Sequence, residues 1–361
     1  MDHKGRQEHL RNSLSSHRLD ALLVTHLPNI LYLCGFSGSA AALVLTGNKS
    51  VFFTDGRYTA QAQVEVRGPQ IVITRKAPLL AAAEWLATHH RRGPVRLGIE
   101  AEQITVAARN RLATLLSSKF RLRPAPALVE RARMVKDADE IKRIRAAVLL
   151  GAGLFDRAIE SIRPGVKESV VAAEMEYAAR QAGAEAMSFP TIIASGERSS
   201  LPHGRASQAA IARQGFVVCD FGVILTGYCS DMTRTVYVGR SSAKVRRAYQ
   251  AVKEAQQAAV DAVKPGVSVG EIDYAARKSL KNSGLAKYFT HSTGHGVGLE
   301  IHEAPRVAAG QSEILRPGMV ITVEPGIYIP GEWGIRIEDM VVVTSTGCEV
   351  LTPTSKQLVT I

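Results

Sequence analysis

Four acidic residues lie in text that otherwise reads as apolar strands: Asp220 and Asp231 in FVVCDFGVILTGYCSDMTRTVYVG, Glu324 at the end of MVITVE, and Glu338 in IRIED. Between the two pairs lies the stretch THSTGHGVGLEIHE, which carries His291, His295 and His302. Like charges crowded on a buried face are costly, and one of them must hold a proton unless a cation neutralises the group. Two solvent-facing aspartates on an edge hairpin would explain the first pair alone, but not four acids flanking a histidine-rich loop. Hard oxygen donors with imidazole suit manganese, iron, cobalt or zinc, and shared carboxylates can hold two ions close together. The pattern predicts a dinuclear hydrolytic site.

Spacing narrows the geometry only in part. About a turn at Thr226-Gly227, a simple antiparallel register would set Asp220 opposite Asp231 on one face. His291 and His295 are four apart, which on a helix would put them on one face, but Gly294, Gly296 and Gly298 argue against a helix. In an extended segment 291 and 295 share a face, while 302 has the opposite parity unless the chain bends. The glycines make a bend easy, so parity leaves open which histidines meet a metal.

The elements that must position these residues fall into two parts. From Leu19 to about Thr59 the chain reads as strand-length apolar runs, including DALLVTHLPNILYLCGF and AALVLTGNKSVFFTDGRYT. Helical spacing follows in LLAAAEWLATHHRRG and near VAARNRLATLLSS, with the short strand RLGIE between them. This alternation predicts an α/β N-terminal domain closing near Arg123. The segment RPAPALVERARMVKDADEI, with Pro124 and Pro126, reads as a linker that turns into a charged helix. The second part repeats itself: RPGVKESVVAAEMEYAAR begins at Arg163 and KPGVSVGEIDYAAR at Lys264. Each copy follows an Ala-rich helical segment and precedes strand-like text, so a duplicated helix pair about a sheet, with pseudo-twofold symmetry, is expected.

The bulk properties exclude several classes. The 361 residues, 46% apolar, suffice for two packed domains. No apolar run approaches a membrane span, and the N-terminal residues MDHKGRQEHLRNSL lack the apolar core of a signal peptide. The four cysteines form no dense framework, which fits reduced thiols in the cytoplasm. The formal charge of +12 comes from scattered basic residues, and clusters such as RRGPVR are short and not interleaved with aromatics. A nucleic-acid partner is not expected.

FGVILTGYCSDMTRT, HSTGHGVGLEIHE, ITVEPGIY and GIRIED together resemble the sequence blocks of the pita-bread metallopeptidases, in the aminopeptidase P and prolidase branch. NILYLCGFSGSAA and FFTDGRYTAQA resemble that branch's creatinase-like N-terminal domain. The resemblance implies a creatinase-like α/β domain over 1–130 and an α+β pita-bread catalytic domain with its internal repeat over 137–361. It assigns Asp220, Asp231, His295, Glu324 and Glu338 to two divalent ions, manganese foremost, with cobalt, zinc or iron compatible. Asp231 and Glu338 would bridge the ions, Asp220 would complete one site, and His295 with Glu324 the other. Creatinase itself shares the folds but not these ligands, which this chain keeps. His203, in LPHG, matches a histidine near the substrate, and His291 and His302 match histidines beside the metals, where both would serve the substrate and the transition state as catalytic residues. Arg336 matches an arginine behind the ligands, and Arg306 one that meets the substrate carboxylate in prolidase-like members.

The activity implied is hydrolysis of the bond between an N-terminal residue and proline. Glu324 would move the proton of the attacking water, with His302 and His203 bonding the substrate or the tetrahedral intermediate. FFTDGRYTAQA looks more like aminopeptidase P, so the expectation is an Xaa-Pro aminopeptidase. The alternative is an Xaa-Pro dipeptidase, for which Arg306 argues. A methionine aminopeptidase would usually lack the N-terminal domain, and a non-catalytic pita-bread protein would have no reason to keep four buried acids. Relatives in this branch commonly dimerise, so a homodimer is implied as well.

Overall fold

The computed structural model describes residues 1–89 and 94–361, so the Arg91, Arg92 and Gly93 of the basic stretch RRGPVR lie outside the described residues. The chain divides into two compact units, Met1–Arg133 and Met134–Ile361. No helix among the described residues is long and apolar enough to cross a membrane.

The first unit is built on six strands: β1 (Ala21–Val24), β2 (Ala41–Thr46), β3 (Ser50–Asp55), β4 (Gln70–Thr74), β5 (Val95–Glu100) and β6 (Phe120–Ala125). They form one mixed sheet in the order β4-β3-β2-β1-β5-β6. The central strands read as unbroken apolar runs because both faces are covered. Ala21, Leu23, Val44, Val51 and Phe53 pack into one cluster with Ala82, Leu86 and Leu112, while on β3 the neighbouring Phe52 meets Phe36 edge-on, ring centres 4.8 Å apart.

Two expectations fail in this unit. The run LPNILYLC is not a strand but a helix, Leu27–Cys34, opened by Pro28 in its first turn, where the missing N–H has no partner to lose. The presumed linker from Pro124 onward is instead the last strand and a short helix, Leu128–Arg133, of the same unit. Pro124 is tolerated because β6 is an edge strand, paired only with β5.

The second unit carries the duplicated helix pairs, here α1 (Ala138–Ser161) with α2 (Glu168–Gln181), and α3 (Ala243–Ala262) with α4 (Val269–Asn282). Each PGV turn places its glycine at positive φ, 88° at Gly165 and 87° at Gly266, where a side chain would be strained. The two turns are tied down in the same way. Gly165 N–H donates to Ile211 O and Ile211 N–H to Val166 O, as Gly266 N–H does to Leu315 O and Leu315 N–H to Val267 O. The expected pseudo-twofold relation is therefore present in the hydrogen bonding as well as the sequence. In each pair an apolar helix face meets a sheet. Met175 and Ala179 join one core cluster, Ile272 and Ala276 the other.

The strands of this unit that bear on the site are β7 (Ile192–Ser195), β8 (Gly215–Phe221), β9 (Val223–Leu225), β10 (Tyr228–Cys229), β11 (Met232–Val238), β12 (Gly294–Gly296), β13 (Glu303–Val307), β14 (Val320–Val323), β15 (Gly326–Ile329), β16 (Trp333–Arg336), β17 (Asp339–Val343) and β18 (Cys348–Val350). One sheet has the order β11-β8-β7, and another β13-β12-β14-β17-β18. The hairpin about Thr226-Gly227 has positive φ at both central residues, 50° and 81°, the conformation of a two-residue hairpin turn. That turn pairs Leu225 with Tyr228, so the register differs from the one expected: Asp220 faces Thr233, not Asp231. Asp231 lies two residues along the same strand path as Thr233, diagonal to Asp220 rather than opposite it. Gly222 interrupts the ladder; a Cβ there would come within 1.8 Å of Ser230 O.

Candidate metal centre

Each acid sits at the end of a strand or in the break between two. Asp220 is near the end of β8, and Asp231 falls between β10 and β11. Glu324 lies between β14 and β15, and Glu338 between β16 and β17. Strand ends allow a side chain to leave the regular pleat while its backbone stays anchored. Glu324 N–H donates to Thr293 O, and Glu338 N–H to Thr233 O, which fixes both carboxylates against the neighbouring segments.

His295 is carried by β12, and two glycines make that strand possible. A Cβ on Gly294 would come within 2.0 Å of Thr322 O, and one on Gly296 within 2.2 Å of Ala304 O. These glycines are needed for close backbone approach, so the helical alternative is excluded by packing as well as by propensity. A bulge between His295 and Gly296 then brings the chain back through Gly298 to β13. This bend overrides parity and sets the His302 ring 4.4 Å from the His295 ring, edge to face.

One ligand atom each of Asp231, His295 and Glu338 lies within 4.8 Å of the others. His295 Nε2 is 3.6 Å from Asp231 Oδ2 and 3.5 Å from Glu324 Oε1. Its Nδ1 meets Gly296 O at 3.0 Å, and a carbonyl oxygen can only accept, so Nδ1 carries the hydrogen and Nε2 presents a lone pair to the acids. Burial keeps this imidazole neutral by lowering its pKa to about 4. Asp220 Oδ1 and Glu338 Oε1 are buried without a hydrogen-bond partner among the described residues.

The protonation of the acids tells the same story. Burial, then the charges of Glu338, Asp220 and Glu324, raises the Asp231 carboxyl well above its ordinary range; burial, then Glu324 and Asp220, does so for Glu338. Burial pushes Glu324 up to about 8, against the opposing effect of Arg336. Unpartnered carboxylate oxygens, a neutral imidazole lone pair and mutually repelling acids are a donor set that a divalent cation satisfies. The residues present fit the group.

Behind the acids stands Arg336, buried at 3% exposure. It donates to Asp220 Oδ2, to Tyr328 Oη, to Thr233 Oγ1 at 3.1 Å and to Pro202 O at 3.1 Å. Thr233 in turn donates to Glu338 Oε2 at 2.7 Å. His291 has both ring nitrogens engaged, Nδ1 by Ser292 O at 2.8 Å and Nε2 by Tyr328 Oη at 3.0 Å. Burial holds His291 near pKa 4 and Tyr328 up at about 12, so a neutral phenol donates to a neutral imidazole. His291 thus faces Tyr328 and lies one link away from the acids.

The remaining candidates are open to solvent. Arg306 is exposed on β13, and because it pairs directly with His295 its side chain lies on the same face. His302 is exposed at the edge of the cluster. Its pKa is lowered by burial and by His203, against the effect of Asp220. His203 is exposed and acts electrostatically on both His291 and His302. Tyr328, Thr233 and Thr322, the last of which donates to Glu324 Oε1 at 3.3 Å, were not singled out from sequence. Tyrosine and threonine are ordinary strand residues, and only their placement reveals them.

A two-part pseudo-symmetric sheet around buried carboxylates and one imidazole defines a metal-dependent hydrolase with the pita-bread fold. The model of metallopeptidase family M24 matches residues 142–345, and that of the Creatinase/Prolidase N-terminal domain matches residues 6–135. The chain belongs to metallopeptidase family M24. It is 38% identical to an Xaa-Pro dipeptidase of Pyrococcus horikoshii over 347 residues, 96% of each chain. The structure of an Xaa-Pro dipeptidase from Bacillus anthracis superposes with a TM-score of 0.95 at 38% identity, covering 99% of this chain and 100% of that one. An X-Pro aminopeptidase from Thermotoga maritima superposes with a TM-score of 0.88 at 33% identity, covering 96% and 100%.

Proposed function

We propose that this chain is an Xaa-Pro dipeptidase, hydrolysing the bond between a first residue and a C-terminal proline, with Asp220, Asp231, His295, Glu324 and Glu338 holding two divalent ions. The observation that carries the hydrolytic reading is the convergence of Asp231, His295 and Glu338 with the unpartnered oxygens of Asp220 and Glu338. The dipeptidase label replaces the expected aminopeptidase. It draws on the Xaa-Pro dipeptidases among the relatives and on Arg306, exposed beside His295, where a guanidinium can take a free proline carboxylate in two hydrogen bonds.

When bound, the ions acidify a water and polarise the scissile carbonyl. Glu324 accepts the water's proton and returns it to the leaving proline nitrogen. His302 and His203 hydrogen-bond the carbonyl oxygen as charge develops there. A bond to proline has no N–H, so recognition falls to ring shape and the proline carboxylate, the part given to Arg306. Arg336 and Tyr328 hold Asp220 in place, and His291 acts through Tyr328.

Manganese is the proposed metal because the donors are mostly carboxylate oxygens. Catalysis is assigned to 137–361, with 1–130 as the creatinase-like domain of a homodimer. The free thiols of Cys34, Cys219, Cys229 and Cys348 fit the reducing cytoplasm, and no nucleic acid or membrane takes part. The test is turnover of Ala-Pro against Ala-Pro-Ala with manganese. Selective cleavage of the dipeptide is expected; equal kcat/KM on the tripeptide would restore the aminopeptidase, and cleavage of Met-Ala peptides instead would point to a methionine aminopeptidase.

A further inference from the structure

Arg234 is among the largest fully buried side chains of the molecule, and the hydrolytic chemistry above makes no use of it. It follows Thr233 on β11 and so points to the opposite side of the strand. A guanidinium has five N–H donors, and all five are engaged. Nη1 donates to Thr233 O at 2.9 Å and to Glu338 O; Nη2 to Asp339 Oδ1 at 2.7 Å and to Thr354 O at 2.6 Å; Nε to Ser355 O at 3.1 Å. Asp339 is completed by Gln256 Nε2 at 2.9 Å and Lys356 Nζ at 3.0 Å.

Two neighbouring pairs of residues thereby face opposite ways. On the site side Thr233 Oγ1 bonds the Glu338 carboxylate. On the reverse side Arg234 bonds Asp339 and grips the backbone carbonyls of Thr233 and Glu338 themselves. Thr233 belongs to the sheet next to Asp220 and Asp231, whereas Asp339 begins a strand of the sheet next to His295 and Glu324. The ligands come from both sheets, so their separation depends on how the two are held together. Burying an ion pair is a poor way to gain stability, since desolvation offsets its attraction. Fixing one relative position of two backbone segments is what a fully satisfied guanidinium does well.

We propose that Arg234, with Asp339 and the C-terminal segment 354–356, is a positioning device that sets Glu338 against the ligands of the other sheet. The proposal rests on the metal-centre reading. Its test is cobalt titration of the purified chain, followed by calorimetry and by the visible spectrum of bound cobalt, alongside kcat and KM on Ala-Pro. Arg234→Lys keeps the charge but has too few donors. Cobalt affinity is expected to fall about 10- to 100-fold, the scale for partners that orient ligands, with an altered spectrum, a lowered kcat and an unchanged KM. Should that variant not fold, Lys356→Met removes one partner of Asp339 at a partly exposed position, and a smaller loss of cobalt affinity in the same direction is expected. Wild-type affinity and spectrum in Arg234→Lys, or in Lys356→Met where the first does not fold, would overturn the proposal and leave Arg234 a purely structural residue. A wild-type chain that binds no cobalt would overturn the metal-centre reading itself, and the proposal with it.

Discussion

The two halves of the catalytic unit share a scaffold but not a chemistry. Position for position, Glu176 and Asp273 each accept a hydrogen bond from a threonine, Thr191 and Thr293, both at 2.8 Å. Arg180 and Arg277, the last residues of the two YAAR copies, each donate to the backbone beyond their helix. In the first half this arrangement lies near the surface. In the second, Asp273 is buried at 1% exposure, and Arg277 grips Phe289 O and His291 O, which anchors the segment leading to His295. The first half supplies two aspartates from one hairpin, and the second supplies the imidazole and both glutamates. The two halves therefore share their helix pairs and turns, while the acids and His295 sit on strand ends and segments in which the halves differ.

The sharpest way to break this comparison is to remove one ligand from each half. Asp231→Asn and His295→Ala should both abolish turnover and lose metal affinity, measured by calorimetry with manganese, because each site needs both halves. His302→Ala should instead keep its metal and lower kcat by about 10²- to 10³-fold, the scale for one lost donor to a developing oxyanion. Equal metal loss in His295→Ala and His302→Ala would mean that the two share a role.

A smaller effect tests the junction between the halves. Thr233→Val removes the hydrogen bond to Glu338 Oε2 at nearly constant volume, and metal affinity should fall about 10- to 100-fold with little change in KM. The shared scaffold is tested by Met175→Ala and Ile272→Ala, equivalent and fully buried positions in the two helix pairs. Each should cost about 2 to 5 kcal/mol in denaturant unfolding, and both should cost alike if the halves are truly one design. The smallest effect belongs to Tyr177→Ser and Tyr274→Ser, equivalent residues that are 63% and 64% exposed. Both should stay within about 0.5 kcal/mol of the parent; a larger loss at one of them would show that the faces are used differently.

That Asp231 and Glu338 would meet His295 was legible in the sequence because acids on apolar strands are physically expensive, and cost without an evident partner is a signal. The repeat was legible because both PGV turns need a glycine at positive φ, so the same three residues mark each copy. Other features gave no such mark. The register at Asp220 follows from the turn itself: two residues at Thr226-Gly227 pair Leu225 with Tyr228 and hence Asp220 with Thr233, and Asp231 would stand opposite only if the turn lay one residue earlier. LPNILYLC reads as a strand by apolarity, and only the helix-opening proline and the packing of its surroundings decide otherwise. Tyr328, Thr233 and Arg234 look like ordinary strand residues, since nothing in their type or spacing says what they touch.

By itself, then, the sequence determined which residue types must converge and that a divalent cation is what reconciles them, because burying like charges has no cheaper solution. Only the tertiary structure decided their division of labour. It turned His295 toward the acids, engaged His291 with Tyr328, left His302 and Arg306 open to solvent, and placed Arg234 behind Glu338. Those assignments depend on strand register, a bulge and the joining of two sheets, which are properties of contacts between distant segments rather than of any one segment's composition.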